Sequence, residues 1–224
     1  MATQRKITFL NNSYYHIFNR GIDRRPTFIS KKEYNRAMEL LYFYQFASIP
    51  IRFSKFSVLP IHKQQIYIDK MIESGKIVEI VAYCLMPNHF HLLIKQKKDN
   101  GISIFTSNIV NAYTKYFNTK HERTGPLFQG IFKAVYVETD EQLLHLTRYI
   151  HLNPVTSSLI KLDELKAYPW SSYPLYILQD NNDSIVDKKE VSQILSAVPK
   201  YEEFVEDQVL YAKQLDEIKH LVLE

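Results

Sequence analysis

The pattern of apolar and polar positions predicts a chain that mixes short strands with amphipathic helices. Strand-like runs, rich in aromatic and β-branched residues, occur at SYYHIFN (13–19), IVEIVAYCL (77–85) and LFQGIFKAVYV (127–137). A fourth run, HFHLLIKQ (89–96), follows the second after only Met86-Pro87-Asn88. Two strands joined by so short a link predict an antiparallel hairpin.

Helices are predicted where apolar residues recur every three or four positions. The predicted spans are 31–48, 61–73, 101–119 and 140–152. The first begins at a potential capping box, Ser30 with Glu33, and the last at another, Thr139 with Gln142. Proline has no backbone N–H to continue a helix, so Pro154 is expected to end the last one.

The resulting order is strand, helix, strand, strand, helix, strand, followed by one more helix. This is the ferredoxin-like βαββαβ plan, an α+β fold with an antiparallel sheet, helices on one face and an added helix. Residues 1–175 are expected to form this domain, with an insertion at about 50–76. Residues 176–224 are expected to form an acidic extension, with helical patterns near 187–197 and 201–222.

The composition argues against several classes of protein. The 224 residues include only 5 glycines, and no GxGxxG or GxxxxGK[ST] run occurs, so we expect no nucleotide cofactor. A single cysteine, Cys84, excludes an internal disulfide and a multi-cysteine zinc site. No apolar run approaches the roughly 20 residues that span a bilayer, and no signal peptide is evident, so a cytoplasmic protein with no membrane partner is expected.

Charge is distributed unevenly along the chain. Residues 180–224 carry 11 acidic and 5 basic side chains, a net charge of −6, whereas residues 1–179 carry 23 basic and 13 acidic ones, a net charge of +10. A basic body with an acidic extension indicates a polyanionic partner for the body. The alternative is ordinary surface charge that serves solubility alone.

His89 and His91 form an H-x-H pair within the second strand of the predicted hairpin. Side chains alternate between the faces of a strand, so both imidazoles project from one face. Such a pair can chelate a divalent metal if at least one more ligand completes the site. The alternative is two surface histidines brought together by chance.

The last predicted helix carries a second group of polar residues. Tyr149 and Asn153 lie four residues apart and share a face, and His145 lies one turn earlier on that face. The amide oxygen of Asn153 is a reasonable third ligand for Mg²⁺ or Mn²⁺. The alternative is a tyrosine packed against the sheet, with Asn153 as a C-terminal cap.

Five separated segments, in order, resemble the HUH single-tyrosine transposases, and most of all the REP-associated tyrosine transposases. The matching segments are YHIFNRG, CLMPNHFHLLI, YTKYFNTKHERTGPLFQG, LTRYIHLNPV and YPWSSY. The resemblance covers roughly residues 13–175, with only a loose match over 50–76. It implies a metal-dependent enzyme that cleaves and rejoins single-stranded, hairpin-associated DNA through a 5′-phosphotyrosine intermediate.

The resemblance also implies roles for matching positions. His89 and His91 correspond to the metal-binding pair, Tyr149 to the nucleophile and Asn153 to the third metal-binding residue, which is glutamine in some relatives. His145 is a candidate second-shell residue that helps to ionise the tyrosine. Relatives include dimers that exchange the tyrosine helix, so a homodimer is an expected possibility.

Other residues have competing interpretations. The basic candidates for DNA contact are Arg20, Arg24, Arg25, Lys115, Lys120 and Arg123. Each of these cations could equally be a solvated surface residue. Tyr113 and Tyr116 are rival nucleophiles that we interpret as core, and His16 is interpreted as a hydrogen-bonded histidine rather than a metal ligand.

Two other classes of function remain open from the sequence. Ferredoxin-like sheets with exposed aromatic residues also bind nucleic acid without chemistry. A metal-dependent nuclease that uses water would leave no covalent link between protein and DNA.

Overall fold

The structure, a computed structural model, describes residues 8–178 and 185–208. The last part of the helix predicted over 201–222 lies outside these residues. The strands are β1 Tyr14–Arg20, β2 Val78–Met86, β3 His89–Gln96 and β4 Lys133–Val137. The helices are α1 Lys31–Phe43, α2 Phe53–Phe56, α3 Ile61–Glu73, α4 Gly101–Lys120, α5 Asp140–Thr156, α6 Tyr173–Leu178 and α7 Lys188–Ser196. Residues 201–208 are also helical, and short 3-10 turns lie at Ile22–Arg24 and Leu162–Ala167.

The four strands form one sheet in the order β2-β3-β1-β4, in which every neighbouring pair is antiparallel. Helix α1 connects β1 to β2, and α4 connects β3 to β4. This arrangement is the predicted ferredoxin-like α+β fold, which is confirmed. Helices α2 and α3 lie within the segment 50–76 that was predicted to be an insertion.

The two faces of the sheet are covered differently. Residues Phe90 and Leu92 of β3 face α1 and α4, and together with Ile109 and Tyr113 they line a small apolar space between the layers. Helix α5 packs against β2 and β3 on the opposite face. Among the described residues, that face stays open over β4 and over the end of β1 that carries Phe18 and Arg20, where Val135 is 53% exposed beside the packed helix.

Three predicted boundaries were wrong. Helix α1 ends at Phe43 rather than 48 because Phe46 and Ala47 pair with the residues just before β2, where Ala47 N–H donates to the Gly75 carbonyl at 2.8 Å. Strand β4 begins only at Lys133, since Gly130 has a left-handed backbone with φ 53°. Helix α5 continues past Pro154 to Thr156, although proline cannot donate to the carbonyl four residues earlier.

The described part of the C-terminal extension packs on the body. Glu190 of α7, 5% exposed, accepts hydrogen bonds from the Lys95 ammonium at 2.7 Å and from the Tyr14 hydroxyl. The Arg148 guanidinium of α5 lies 4.1 Å from the centre of the Phe204 ring. Helix α5 is therefore enclosed between the sheet and the extension. Within the described residues, every helix is too short or too polar to cross a membrane.

Candidate active site

The open face of the sheet carries a cluster of three imidazoles. Strands β1 and β3 pair so that Phe18 lies opposite His91 and Arg20 opposite His89. The centres of the His89 and His91 rings are 5.0 Å apart. His16, two residues before Phe18 on β1, has its Nε2 atom 2.8 Å from Nδ1 of His91. The antiparallel register of two strands therefore places all three rings on one face.

Helix α5 brings the predicted tyrosine to this cluster. The Tyr149 ring lies edge-on to His91, with ring centres 5.7 Å apart and planes at 89°, and its centre is 6.1 Å from that of His16. The tyrosine is 51% exposed, so its phenol is open to a substrate. Tyr149 and the histidine pair thus lie together within a single chain.

Asn153 lies one helical turn after Tyr149 and is 7% exposed. Its Nδ2 donates to the Tyr149 carbonyl at 2.9 Å, which orients the amide. This bond leaves the Oδ1 atom as the part of Asn153 that can act as a ligand. Asn153 does not cap the helix, whose C-cap is Ser157.

The rim of the site is a loop fastened to the β2–β3 turn. The backbone N–H of Gly21 donates to the Asn88 carbonyl at 2.7 Å, and that of Thr27 donates to the Pro87 carbonyl at 2.7 Å. A Cβ atom at Gly21 would approach the Arg25 carbonyl oxygen to 2.3 Å, so this turn needs glycine. The loop that holds Arg24 and Arg25 is thereby fixed beside His89.

Burial keeps the imidazoles neutral. It lowers the pKa of His16 to about 4, and burial together with the nearby charge of Arg20 lowers that of His89 to about 4. For His91, burial, the neighbouring His16 and His89 and the charge of Arg20 lower the pKa to about 2. Neutral imidazole is the form that binds a metal, so the cluster is ready to act as a ligand near pH 7.

The donor set limits what metal site is possible. Among the described residues, no group of three His, Cys, Asp or Glu side chains is arranged to hold an ion. His16 is engaged with His91, which leaves two imidazoles and the Asn153 amide oxygen as donors. By their chemistry these residues fit a divalent cation, which would take its remaining ligands from water or substrate oxygens.

The predicted DNA-contacting residues fall into two groups. Arg20, opposite His89, is on the face of the imidazoles, and Arg24 and Arg25 lie in the loop at its rim. Lys115 and Lys120 are on α4, in the helical layer across the sheet. Contact of either group with DNA stays a prediction.

The charges of the α4 group are partly used within the fold. The Lys120 ammonium lies 2.6 Å from a carboxylate oxygen of the buried Glu33. Arg123 donates to the side-chain oxygen of Asn118 at 2.9 Å and to the Pro126 carbonyl at 3.0 Å. These contacts give Lys120 and Arg123 structural roles.

His145 makes its described contacts away from the imidazole cluster. Its Nδ1 atom lies 2.7 Å from the Arg148 guanidinium, and its Nε2 atom lies 3.8 Å from the carboxylate of Glu141. The ring also packs near Phe204. Its role toward the tyrosine stays a prediction.

The rival tyrosine Tyr113 is a core residue, as predicted. It is 1% exposed, and its hydroxyl donates to the Thr27 carbonyl at 2.5 Å in the helical layer. Two residues of the site face were missed by the sequence analysis, Phe18 and Lys133, which face each other across β1 and β4. Alternation along β4 could have predicted that Lys133 points to the solvent-facing side of the sheet. Only the pairing of β4 with β1 shows that this side chain lies on the face of the imidazoles.

Comparison with known proteins agrees with this architecture. A family model described as transposase IS200-like matches residues 9–153, which include the imidazoles, Tyr149 and Asn153. A Haemophilus influenzae protein classed as a REP-associated tyrosine transposase is 26% identical over 105 residues, an alignment that covers 42% of this chain and 58% of that relative. The chain therefore spans little more than half the length of this relative.

One solved structure supports the fold independently. It is a REP-associated tyrosine transposase bound to a REP hairpin, and it superposes with a TM-score of 0.56 at 14% identity. The match covers 84% of this chain and 92% of that chain. At this identity the likeness concerns the fold, while the family match extends over most of the chain. The chain belongs to the IS200-like transposase family.

Proposed function

We propose that the protein is a metal-dependent DNA strand transferase that uses Tyr149 as its nucleophile. The observation that carries this proposal is the exposed Tyr149 ring, which lies 5.7 Å from His91 at the edge of a neutral imidazole pair. The family supplies the class of reaction, and the site supplies a nucleophile beside candidate metal ligands.

His89, His91 and the Oδ1 atom of Asn153 would hold a Mg²⁺ or Mn²⁺ ion. Such an ion, when bound, supplies positive charge to a non-bridging oxygen of the scissile phosphate. Arg20 would add a second positive charge on the same face, because it lies opposite His89. The two imidazoles would bind as neutral ligands, so the cation would keep its full charge.

The transfer consists of two displacements at phosphorus. The Tyr149 phenol loses its proton and its oxygen bonds to phosphorus, while the bond from phosphorus to the 3′ oxygen breaks and that oxygen leaves as a 3′-hydroxyl after taking up a proton. The 5′-phosphotyrosine retains the bond energy of the phosphodiester. A second 3′-hydroxyl can then displace Tyr149, so strands are rejoined without a nucleotide cofactor.

The proposed substrate is single-stranded DNA next to a hairpin. A solved relative of the same fold is bound to a REP hairpin. The open half of the sheet carries Phe18, which can stack on unpaired bases, and the cations Arg20 and Lys133, which can contact phosphates.

Tyr149 and His91 of one chain lie together, with their ring centres 5.7 Å apart. The tyrosine, the histidine pair and Asn153 belong to the same chain, and α5 is enclosed by the C-terminal extension of that chain. This arrangement supports a site formed by one chain, and a homodimer that exchanges α5 stays a prediction.

The first test is the nucleophile. Tyr149→Phe removes the attacking oxygen and keeps the ring, so we expect the covalent protein–DNA adduct to disappear from denaturing gels while hairpin binding stays within about twofold. Tyr136→Phe, at a 43% exposed tyrosine on β4, is the matched control and should form adducts normally. An adduct that persists in Tyr149→Phe would contradict the assignment, and free 5′-phosphate ends with no adduct in the unaltered protein would indicate a water-using nuclease.

The second test is the metal. His91→Ala removes one imidazole, so we expect Mn²⁺-dependent cleavage to fall at least 100-fold, since one amide and one imidazole make a weak site. Titration of adduct yield against Mn²⁺ or Mg²⁺, with chelated protein as the starting point, measures this. Cleavage that continues at full rate in chelator would show that the metal assignment is wrong.

A further inference from the structure

The two proposed metal-binding imidazoles each have their Nδ1 atom engaged by a neighbouring side chain. Nδ1 of His89 lies 2.6 Å from Oδ1 of Asn88, and Nδ1 of His91 lies 2.8 Å from Nε2 of His16. The same ring atom is therefore occupied in both residues, although the partners come from the β2–β3 turn in one case and from β1 in the other. In both rings Nε2 is the nitrogen left for a ligand.

The orientation of Asn88 decides the proton position on His89. The Nδ2 atom of Asn88 donates to the backbone carbonyl of Arg24 at 3.1 Å, and a carbonyl can only accept. The amide is thus fixed with Oδ1 toward His89. Because Oδ1 is also only an acceptor, the Nδ1 atom of His89 must carry the proton of the shared hydrogen bond.

The partner of His91 can accept in the same way. In a bond between two neutral imidazoles, one nitrogen carries the proton and the other accepts it. If Nδ1 of His91 is the donor, its Nε2 lone pair is free; if His16 is the donor, Nε2 of His91 is protonated and cannot bind a cation. Strand pairing holds His16 at this distance, two positions from the residue opposite His91.

We propose that Asn88 and His16 are positioning residues that hold both imidazoles in the Nδ1–H form, so that both Nε2 lone pairs are presented to the cation. Metal-bound histidines commonly donate their second nitrogen to such a partner, which sets the ring orientation and strengthens the ligand. The inference rests on the proposed function, because it concerns the same site. Asn88 and His16 would thus contribute to metal binding without being ligands themselves.

The tautomers can be measured without metal or DNA. Imidazole ¹⁵N spectra of the full, metal-free chain at pH 7 report which ring nitrogen is protonated. We expect protonated Nδ1 and unprotonated Nε2 for both His89 and His91. A protonated Nε2 on His91 would overturn the role of His16, and a protonated Nε2 on His89 would overturn that of Asn88.

Variants then link the tautomers to metal binding. His16→Leu and Asn88→Ala remove the acceptors, and we expect each to weaken Mn²⁺ binding about 10–100-fold, measured by titration of free Mn²⁺ with electron paramagnetic resonance. His16→Gln offers an amide oxygen at a similar reach and should restore most of the affinity. His62→Gln, at an exposed histidine of α3, is the matched control and should leave affinity unchanged.

The outcomes separate this inference from the proposed function. Unchanged tautomers and unchanged Mn²⁺ affinity in both His16→Leu and His16→Gln would refute a positioning role for His16, even if Tyr149 forms adducts. Conversely, the predicted tautomers in a protein that forms no adduct under any metal would leave the positioning inference standing and refute the proposed function.

Discussion

His151 is a fully buried histidine on the face of α5 that turns away from Tyr149. Its Nδ1 atom lies 2.8 Å from the Tyr201 hydroxyl and its Nε2 atom 2.8 Å from the Ser172 hydroxyl. Burial lowers the pKa of His151 to about 3. This single side chain joins α5, the segment before α6 and the C-terminal extension, and the low pKa keeps it neutral near pH 7.

The low pKa of His151 predicts acid sensitivity. The folded protein binds this proton more weakly than the unfolded chain, whose histidine has a pKa near 6.5, so stability falls as the pH drops from about 6.5 towards 3, by up to about 1.4 kcal/mol per pH unit for one such group. When the pH is lowered from 7 to 5, the free energy of unfolding should fall in both proteins. We expect this fall to be about 1–2 kcal/mol smaller in His151→Gln than in the unaltered protein. Urea titrations at both pH values measure this, and equal losses would contradict it.

Residue roles were partly predictable from the sequence. His89, His91 and Tyr149 stand in motifs with fixed local spacing, and alternation and helical periodicity place them on faces without any knowledge of the fold. The bond between His16 and His91 joins residues 75 positions apart. This bond depends on strand register, which no local pattern encodes. The sequence analysis could therefore predict that His16 is hydrogen-bonded, but not that its partner is His91.

Among the helices, α1 and α4 are joined at their ends through Glu33. Its carboxylate accepts from the backbone N–H of Ser30 at 2.8 Å, which is the predicted capping contact, and from Lys120 and His121 at the end of α4 at 2.6 and 2.7 Å. Burial alone would raise the pKa of Glu33, but these hydrogen bonds outweigh it and lower that pKa to about 2. Glu33 therefore caps α1 and also links the start of α1 to the end of α4.

Glu33→Gln is expected to destabilise the fold by about 2 kcal/mol, because hydrogen bonds to a buried charged group are replaced by weaker ones. Thermal or urea unfolding at pH 7 measures the loss. Glu39→Gln on the same helix is the matched control, since its ion pair with Arg36 spans 3.6 Å at the surface and should contribute less than about 0.5 kcal/mol. Equal effects of the two variants would contradict this role of Glu33.

The elements themselves were well predicted where periodicity is long, and both ends of α3 and β3 were predicted correctly, whereas the ends of α1 and α5 were not. The end of α1 depends on pairing between residues 45–47 and 75–77, a tertiary contact that overrides the helical pattern. Helix α5 continues for two residues past Pro154, although proline cannot donate to the carbonyl four residues earlier. The end of α1 is set by neighbours that a local window does not contain.

Across the whole molecule, charge separates the body from the C-terminal extension. The body carries a net charge of +10 over residues 1–179. The described part of the extension packs beside α5 and contacts Tyr14 at the start of β1, at the opposite end of that strand from Arg20. The side-chain ligands for DNA phosphates that we propose, Arg20 and Lys133, lie on the open half of the sheet.

This charge distribution predicts salt-sensitive binding. We expect the logarithm of the association constant for a hairpin to fall linearly with the logarithm of salt concentration, and Arg20→Gln to reduce the slope by about one and to weaken binding similarly for different hairpin sequences. Fluorescence anisotropy at several salt concentrations measures this. Lys63→Gln, at an exposed cation of α3, should leave the slope unchanged, and a slope unaffected by Arg20→Gln would remove this residue from the DNA interface.

The pairing of β1 with β3 restricts which mutations the protein can tolerate. Tyr15, Ile17 and Asn19 enter the interior while His16, Phe18 and Arg20 form the reactive surface, and both sets are fixed by one alignment of the two strands. Adding or deleting one residue in β1 would exchange the two sets beyond that point and would abolish folding and chemistry together. Functional homologues are therefore expected to differ by substitutions within these strands, and by insertions or deletions only outside them.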